Sequence, residues 1–279
     1  MMKYDPNTQP ATLAAYIKGL QAAGRLIFLR EEAQAALGVG RGAFLDAAEK
    51  LQKRHQLFSP RPRHGFYVII PPHYLNLGSP PPASFIDDLM RHEKRPYYVG
   101  LLKAAELHDS SHQAVMEFQV VTDKQMHEIR AGRSKIAFYF KRNIAAIAAG
   151  IEDRKTETGK MKVSSIELTL LDLLRYPQAS GGIDNVYTIF GDLGPRLDAG
   201  KMASLSCAFE QSVVQRAGYL LDRAKLTEQA DKLHILMEPR RQWAELDPSL
   251  RSDAESYPEI LARDERWRVV VRRLPERDE

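Results

Sequence analysis

Apolar and polar positions alternate with helical or strand periodicity along most of the chain, and one proline-rich stretch with neither divides it. Ahead of that stretch, "TLAAYIKGLQAAG" sets Leu13, Tyr16, Ile17 and Leu20 three and four residues apart, one face of a helix that Gly24 stops. "REEAQAAL" follows as a shorter helix with Ala33, Ala36 and Leu37 on one side. After the break at Gly38-Val39-Gly40, a third helix is predicted over "RGAFLDAAEKLQKRHQ". It turns Phe44, Leu45, Ala48 and Leu51 inward and leaves Arg41, Asp46, Lys50, Lys53 and Arg54 outward or flanking. "LFSPRPRHGFYVII" reads as two strands, Leu57-Phe58 and Phe66 to Ile70, joined by a basic loop in which Gly65 permits the tight return. Three helices followed by a basic hairpin are the parts of a winged helix-turn-helix.

The unpatterned stretch, "IIPPHYLNLGSPPPASF", holds five prolines and no Lys, Arg, Asp or Glu. Proline fixes extended backbone and blocks helix, so a linker or exposed crossing is expected there. The division that follows is a winged helix-turn-helix over 1–72, a linker over 73–85 and a larger α+β domain over 86–279. In the larger part, Ser84 is expected to cap a helix running to about Arg91, with a second helix over Tyr98 to Leu107. "AVMEFQVVTD" and "SKIAFYFKRN" are β-rich, "MHEIRAG" is a turn or short strand, and "IEDRKTETGKMKVSS" reads as a strand pair around Gly159. From "SIELTLLDLLRYP" the pattern turns helical, with Leu168, Leu171 and Leu174 on one side and Pro177 closing the helix. Asp172 within it is expected to face solvent or pair with Arg175. Helices continue through "TEQADKLHILM", and one short strand, Trp267 to Val271, marks the tail. The fold class is therefore α+β: an N-terminal winged helix-turn-helix, then a larger mixed α/β domain with a helical C-terminal part.

Composition adds boundaries. A chain of 279 residues, 44% hydrophobic and 27% charged, is long enough for two domains and carries no signature of disorder. The net charge of +4 is small, but its placement is informative. From Gly24 to His64 eight Lys or Arg stand against four acids, so this window holds the whole excess and the remainder sums to zero. A local basic excess is the footprint of a polyanion partner. The single cysteine, Cys207, excludes an internal disulfide framework and is expected to be a small buried apolar residue. No signal-peptide core and no run of about eighteen apolar residues occurs, which points to a cytoplasmic protein without a membrane span.

Candidate chemistry is sparse. Glu106, His108 and His112 in "ELHDSSH" place two histidines four apart, but Asp-Ser-Ser between them favours a helix end, and the His-Glu-x-x-His pattern of zinc hydrolases is absent. The Gly-Lys pairs of "GRSK" and "ETGKMK" lack phosphate-loop spacing. The acids Asp87, Asp88, Asp153 and Asp172 are scattered. The expectation is a non-enzyme with no cofactor and no metal.

The basic unit, in contrast, has a mechanism. A helix-turn-helix presents the second helix end-on to the major groove, with its first side chains at base edges. That end is Val39-Gly40-Arg41-Gly42, where Arg41 can pair bidentately with guanine and the glycines let backbone N–H groups approach a phosphate. Lys50, Lys53 and Arg54 are placed for backbone phosphates, and Arg61, Arg63 and His64 on the wing for the adjacent minor groove or phosphates. Arg30, at the start of the preceding helix, completes the DNA-binding set. A winged helix that docks a partner protein without reading DNA is the alternative, favoured by the acids Asp46 and Glu49 on the reading helix.

Five ordered blocks, "LQKRHQLFSPRPRHGFYVII", "YYVGLLKAAELHDSSHQAVMEFQVVTDKQ", "IRAGRSKIAFYFKRN", "TGKMKVSSIELTLLDLLRYPQASGGIDNV" and "VVQRAGYLLDRA", resemble the AbiEi family of type IV antitoxins over roughly Gly24 to Ala224. The resemblance implies an abortive-infection antitoxin whose N-terminal domain binds inverted repeats in its own promoter and represses its operon. It further implies a C-terminal domain that counteracts a nucleotidyltransferase-like toxin, direct toxin binding not being the family rule. It offers no residue motif for antitoxicity, and the tail after about Leu236 matches none of the blocks.

Overall fold

The computed structural model describes residues 10–110, 116–235, 242–252 and 259–277. The N-terminal unit runs α1 (Leu13–Ala22), β1 (Ile27–Leu29), α2 (Arg30–Leu37), α3 (Arg41–Lys53), β2 (Leu57–Arg61) and β3 (Phe66–Ile69). Thr12 caps α1, its hydroxyl accepting from the Ala15 N–H at 3.2 Å. The strands form an antiparallel sheet of order β1-β3-β2. β1 is an addition to the sequence reading, in which the four apolar residues between Arg25 and Arg30 carry no visible period. Leu13, Ile17, Phe28, Ala33, Phe44, Ala48, Leu51, Tyr67 and Ile69 share one core. Leu45, expected inside, is instead 39% exposed, because the inward face of α3 is filled by Phe44, Ala48 and Leu51.

The proline stretch folds as two 3-10 turns, Pro72–Leu77 and Pro82–Ser84. It is packed on the larger domain: the Arg133 N–H donates to the Leu77 carbonyl at 2.9 Å. A Cβ at Gly132 would overlap that same oxygen. Ser84 lies in the second turn and the helix begins after Phe85, with no side-chain cap.

The larger domain continues α4 (Ile86–His92), β4 (Tyr97–Val99), α5 (Leu101–Leu107), β5 (Glu117–Thr122), β6 (Ile129–Ala131), β7 (Ser134–Phe140), β8 (Ile151–Thr156) and β9 (Gly159–Ser164). Where a single helix was expected from Tyr98, Tyr97–Val99 is a strand and the helix starts at Leu101. The six strands form a mixed sheet of order β6-β7-β5-β4-β9-β8. Helices α6 (Ile166–Arg175), α7 (Gly182–Leu193), α8 (Ala199–Ser206), α9 (Gln211–Arg223) and α10 (Thr227–Ile235) pack on one face. A small sheet of β10 (Ala244–Glu245), β11 (Ala262–Asp264) and β12 (Val269–Val271), ordered β10-β12-β11, closes the tail.

Strand alternation assigns the faces. Tyr97, Val99, Phe118 and Val120 point to α4, while Tyr98 and Val121 point to the helices. β3 obeys the same rule with a different result. Tyr67 and Ile69 enter the winged-helix core, and Phe66 and Val68 enter the core that holds Phe85, Ile86, Leu89 and Met90. All four residues of β3 are buried, as in a strand covered on both faces. The winged helix is thus built onto the larger domain through this strand. No helix among the described residues is long and apolar enough to cross a membrane.

Candidate nucleic-acid interface

The turn between α2 and α3 is set by two glycines with different tasks. Gly38 ends α2 in the left-handed region (φ 64°, ψ 30°), which a Cβ disfavours. The Val39 N–H then donates back to the Gln34 carbonyl at 3.2 Å. Gly40 is extended (φ −73°, ψ 167°), a conformation open to any residue. A Cβ at Gly40 or Gly42 would meet nothing within 4 Å. The fold therefore does not require glycine at either position, and the start of α3 is left bare to solvent.

Arg41 stands exposed on the first turn of α3 and makes no ion pair among the described residues. Lys50 and Arg54 are likewise exposed and unpaired among them. Lys53 bonds to Glu49 one turn back at 2.6 Å, with both side chains more than 60% exposed. Such an exposed pair is screened by solvent and is easily exchanged for a phosphate.

The wing is more committed than the sequence suggested. Pro62–His64 forms a 3-10 turn, and Gly65 (φ 72°) returns the chain against Arg30. Arg30 is folded back: its N–H donates to the Gly65 carbonyl at 2.8 Å, and its guanidinium, 15% exposed, bonds Glu31 at 2.6 Å. Arg61 is half-buried, donates to the His127 carbonyl at 2.9 Å and lies 5.7 Å over the Phe138 ring. His64 Nδ1 donates to Glu93 at 2.6 Å. His92 Nε2 lies 2.9 Å from the His64 carbonyl, which can only accept, so that nitrogen carries a proton. Of the wing candidates, Arg63 is exposed and unengaged among the described residues. The structure thus brings together Arg30, Arg61 and His64 as the base of the wing, and leaves Arg41, Lys50, Lys53, Arg54 and Arg63 facing outward.

Elsewhere the sequence reading missed a buried polar cluster. Asp172 is fully buried rather than facing solvent, and its Oδ2 accepts from the Tyr98 hydroxyl at 2.7 Å. Burial pushes its carboxyl up to about 6. Lys141, only 3% exposed, sits 3.5 Å over the Phe209 ring, and burial pulls its ammonium down to about 8. The signal was present in "LTLLDLL": Asp172 has leucines at one and two residues on both sides, and Leu168 stands one turn before it. Cys207, expected to be buried, is not. It follows the end of α8 and is exposed. His108 is bound to the Ser164 carbonyl at 2.7 Å, and His112 lies outside the described residues. Among the described residues no group of three His, Cys, Asp or Glu can hold a metal ion.

The architecture is that of a winged helix-turn-helix joined to a sheet-and-helix domain. Residues 98–223 match the family model of the AbiEi antitoxin C-terminal domain. The matched segment runs from β4 to the end of α9 and so contains the Tyr98–Asp172 bond. Among solved structures, the RV2827C protein from Mycobacterium tuberculosis has a similar fold, with a TM-score of 0.66 at 16% identity. The match covers 92% of this chain and 89% of that one. No curated relative matches significantly.

Proposed function

We propose that the protein is the antitoxin of a type IV toxin–antitoxin system, which binds its own promoter through the unit over 1–72 and represses its operon. The observation that carries the DNA-binding reading is the unpaired Arg41 at the bare, glycine-flanked start of a helix that follows a helix-turn-helix turn. Arg41 reads a guanine, Lys50, Lys53 and Arg54 contact backbone phosphates, and Arg63 reaches past the wing. Leu45, exposed one turn after Arg41, offers an apolar contact in the groove. Arg30, Arg61 and His64 act indirectly, by holding the wing in place. The antitoxin domain supports pairing with a toxin, and a nucleotidyltransferase-like product of the neighbouring gene is the expected counterpart.

The test is binding of the full chain to the inverted repeats upstream of its gene, followed by fluorescence anisotropy over a salt series. Arg41→Ala is expected to weaken binding by roughly 1–3 kcal/mol at the cognate site and to relax specificity at one base pair. Lys53→Ala should weaken all sequences alike and reduce the salt slope by about one. Equal affinity of native protein and Arg41→Ala would overturn the assignment of the reading helix. A second reading, a protein-docking winged helix, is favoured by Asp46 and Glu49 on the outward face of α3. Stable co-purification with a partner through α3, without promoter binding, would select it.

Gly42 supplies an independent check. Alanine there meets nothing and removes a helical glycine, so Gly42→Ala should stabilise the fold by about 0.5–1 kcal/mol. If backbone N–H groups at this end touch phosphate, the same variant should bind operator more weakly despite its higher stability. Thermal unfolding and anisotropy on one preparation separate the two effects.

A further inference from the structure

A cavity of about 430 Å³ opens in the larger domain and is lined entirely by residues of that domain. It lies where β5 and β7 end side by side and the chain crosses through the 3-10 turn Ala145–Gly150 into β8. Carboxyl ends of parallel strands are where open sheets leave room for ligands. Its volume falls in the range of small-molecule sites.

The lining combines three chemistries. Ile144, Ala148 and Ile151 form apolar walls. Arg142 is exposed and has no hydrogen bond or ion pair among the described residues, and Lys162 is held loosely, 3.4 Å from an Asp153 that bonds Lys160 more closely at 2.5 Å. Asp123, its side chain 27% exposed, turns a buried Oδ1 toward Arg95 at 3.7 Å, so its other oxygen, Oδ2, is the acceptor a ligand in the cavity can reach. Asn143 accepts from the Ala146 N–H at 3.3 Å, which leaves its NH₂ to donate.

A ligand that meets all of these carries an anion for Arg142 and Lys162, an N–H donor for Asp123, and a flat, largely apolar body for the walls. A fatty anion lacks the donor, a polyamine is repelled by the two cations, and inorganic phosphate leaves the walls and Asp123 unmet. We propose that this cavity binds a nucleoside phosphate, its phosphate held by Arg142 and Lys162 and its base, against Ile144 and Ile151, donating to Asp123. The proposal is independent of the DNA-binding reading, since none of these residues belongs to the winged helix.

Isothermal titration calorimetry on the full chain, in phosphate-free buffer, tests it with adenosine and guanosine 5′-monophosphates, the two nucleosides and sodium phosphate. At least one nucleotide is expected to bind more tightly than its nucleoside and than phosphate. Arg142→Ala should weaken it about tenfold or more, as the loss of a charge-assisted hydrogen bond does. Ala148→Phe, which fills the cavity, should also weaken nucleotide binding while promoter binding stays at the native level. Three results would each overturn the proposal: no nucleotide heat at millimolar concentration, phosphate bound as tightly as nucleotide, or nucleotide binding lost in Arg41→Ala but kept in Arg142→Ala. The last would place the nucleotide on the DNA-reading helix.

Discussion

Asp172→Ala is expected to destabilise the protein by about 1–3 kcal/mol, because it leaves the buried Tyr98 hydroxyl without its acceptor. The carboxylate is fully buried, accepts the Tyr98 hydroxyl at 2.7 Å, and supplies the negative charge that faces the buried Lys141 and the nearby Arg175. Removing it strands a buried hydroxyl and a buried ammonium together. The ammonium has little else: its Nζ lies 3.4 Å from the Ala208 carbonyl and against the Phe209 ring. Asp172→Asn keeps an oxygen for Tyr98 and should lose less. Urea unfolding at neutral pH measures both, and an alanine variant within 1 kcal/mol of native would sink this account of the cluster.

The cluster also has a pH signature. The folded carboxyl sits at about 6, above its ordinary value of 3.8, so its contribution is fully present below about 3.8 and is lost as pH rises through about 6. Lys141 behaves oppositely: its folded ammonium is lowered to about 8, so its contribution is present above 10.5 and is lost as pH falls through about 8. The stability difference between native protein and Asp172→Asn should therefore shift toward the native protein on going from pH 7 to pH 4.

The second large effect falls on α9. In Gly218→Ala the new Cβ would overlap the six-membered ring of Trp267, and that ring cannot withdraw. Trp267 is fully buried, its Nε1 donates to Asp222 at 2.5 Å, and its backbone N–H donates to Asp264 at 2.8 Å. Overpacking of this kind costs about 1–3 kcal/mol, and here it also forfeits the gain that alanine brings in an open helix. The opposite sign expected for Gly42→Ala makes the pair a controlled comparison. Urea unfolding with a red shift of the Trp267 emission would show that the small terminal sheet has come off α9; an unchanged midpoint and spectrum would contradict it.

How much of this was legible beforehand follows from where the information lies. α2 and α3 were readable because a glycine break and apolar spacing are local. The hairpin was readable because Gly65 and alternating strands are local too. β1 and β4 were not, since three-residue strands have no period and exist only through their neighbours β3, β5 and β9. The docking of Arg61 and His64 depends on His127 and Glu93, 66 and 29 residues away, and no spacing rule reports such partners. Asp172 was misread because a helical acid three residues from Arg175 usually pairs on the surface. The run of leucines around it was the better guide.

The twofold allegiance of β3 has a consequence for inheritance. Its odd- and even-numbered residues answer to different cores, so Phe66 and Val68 are matched to α4 while Tyr67 and Ile69 are matched to α1 and α3. The winged helix cannot be exchanged between relatives by cutting within the proline stretch alone. A recombinant that exchanges the winged helix must bring a β3 whose outer pair still fits the host's α4, so the two parts are transmitted as one unit.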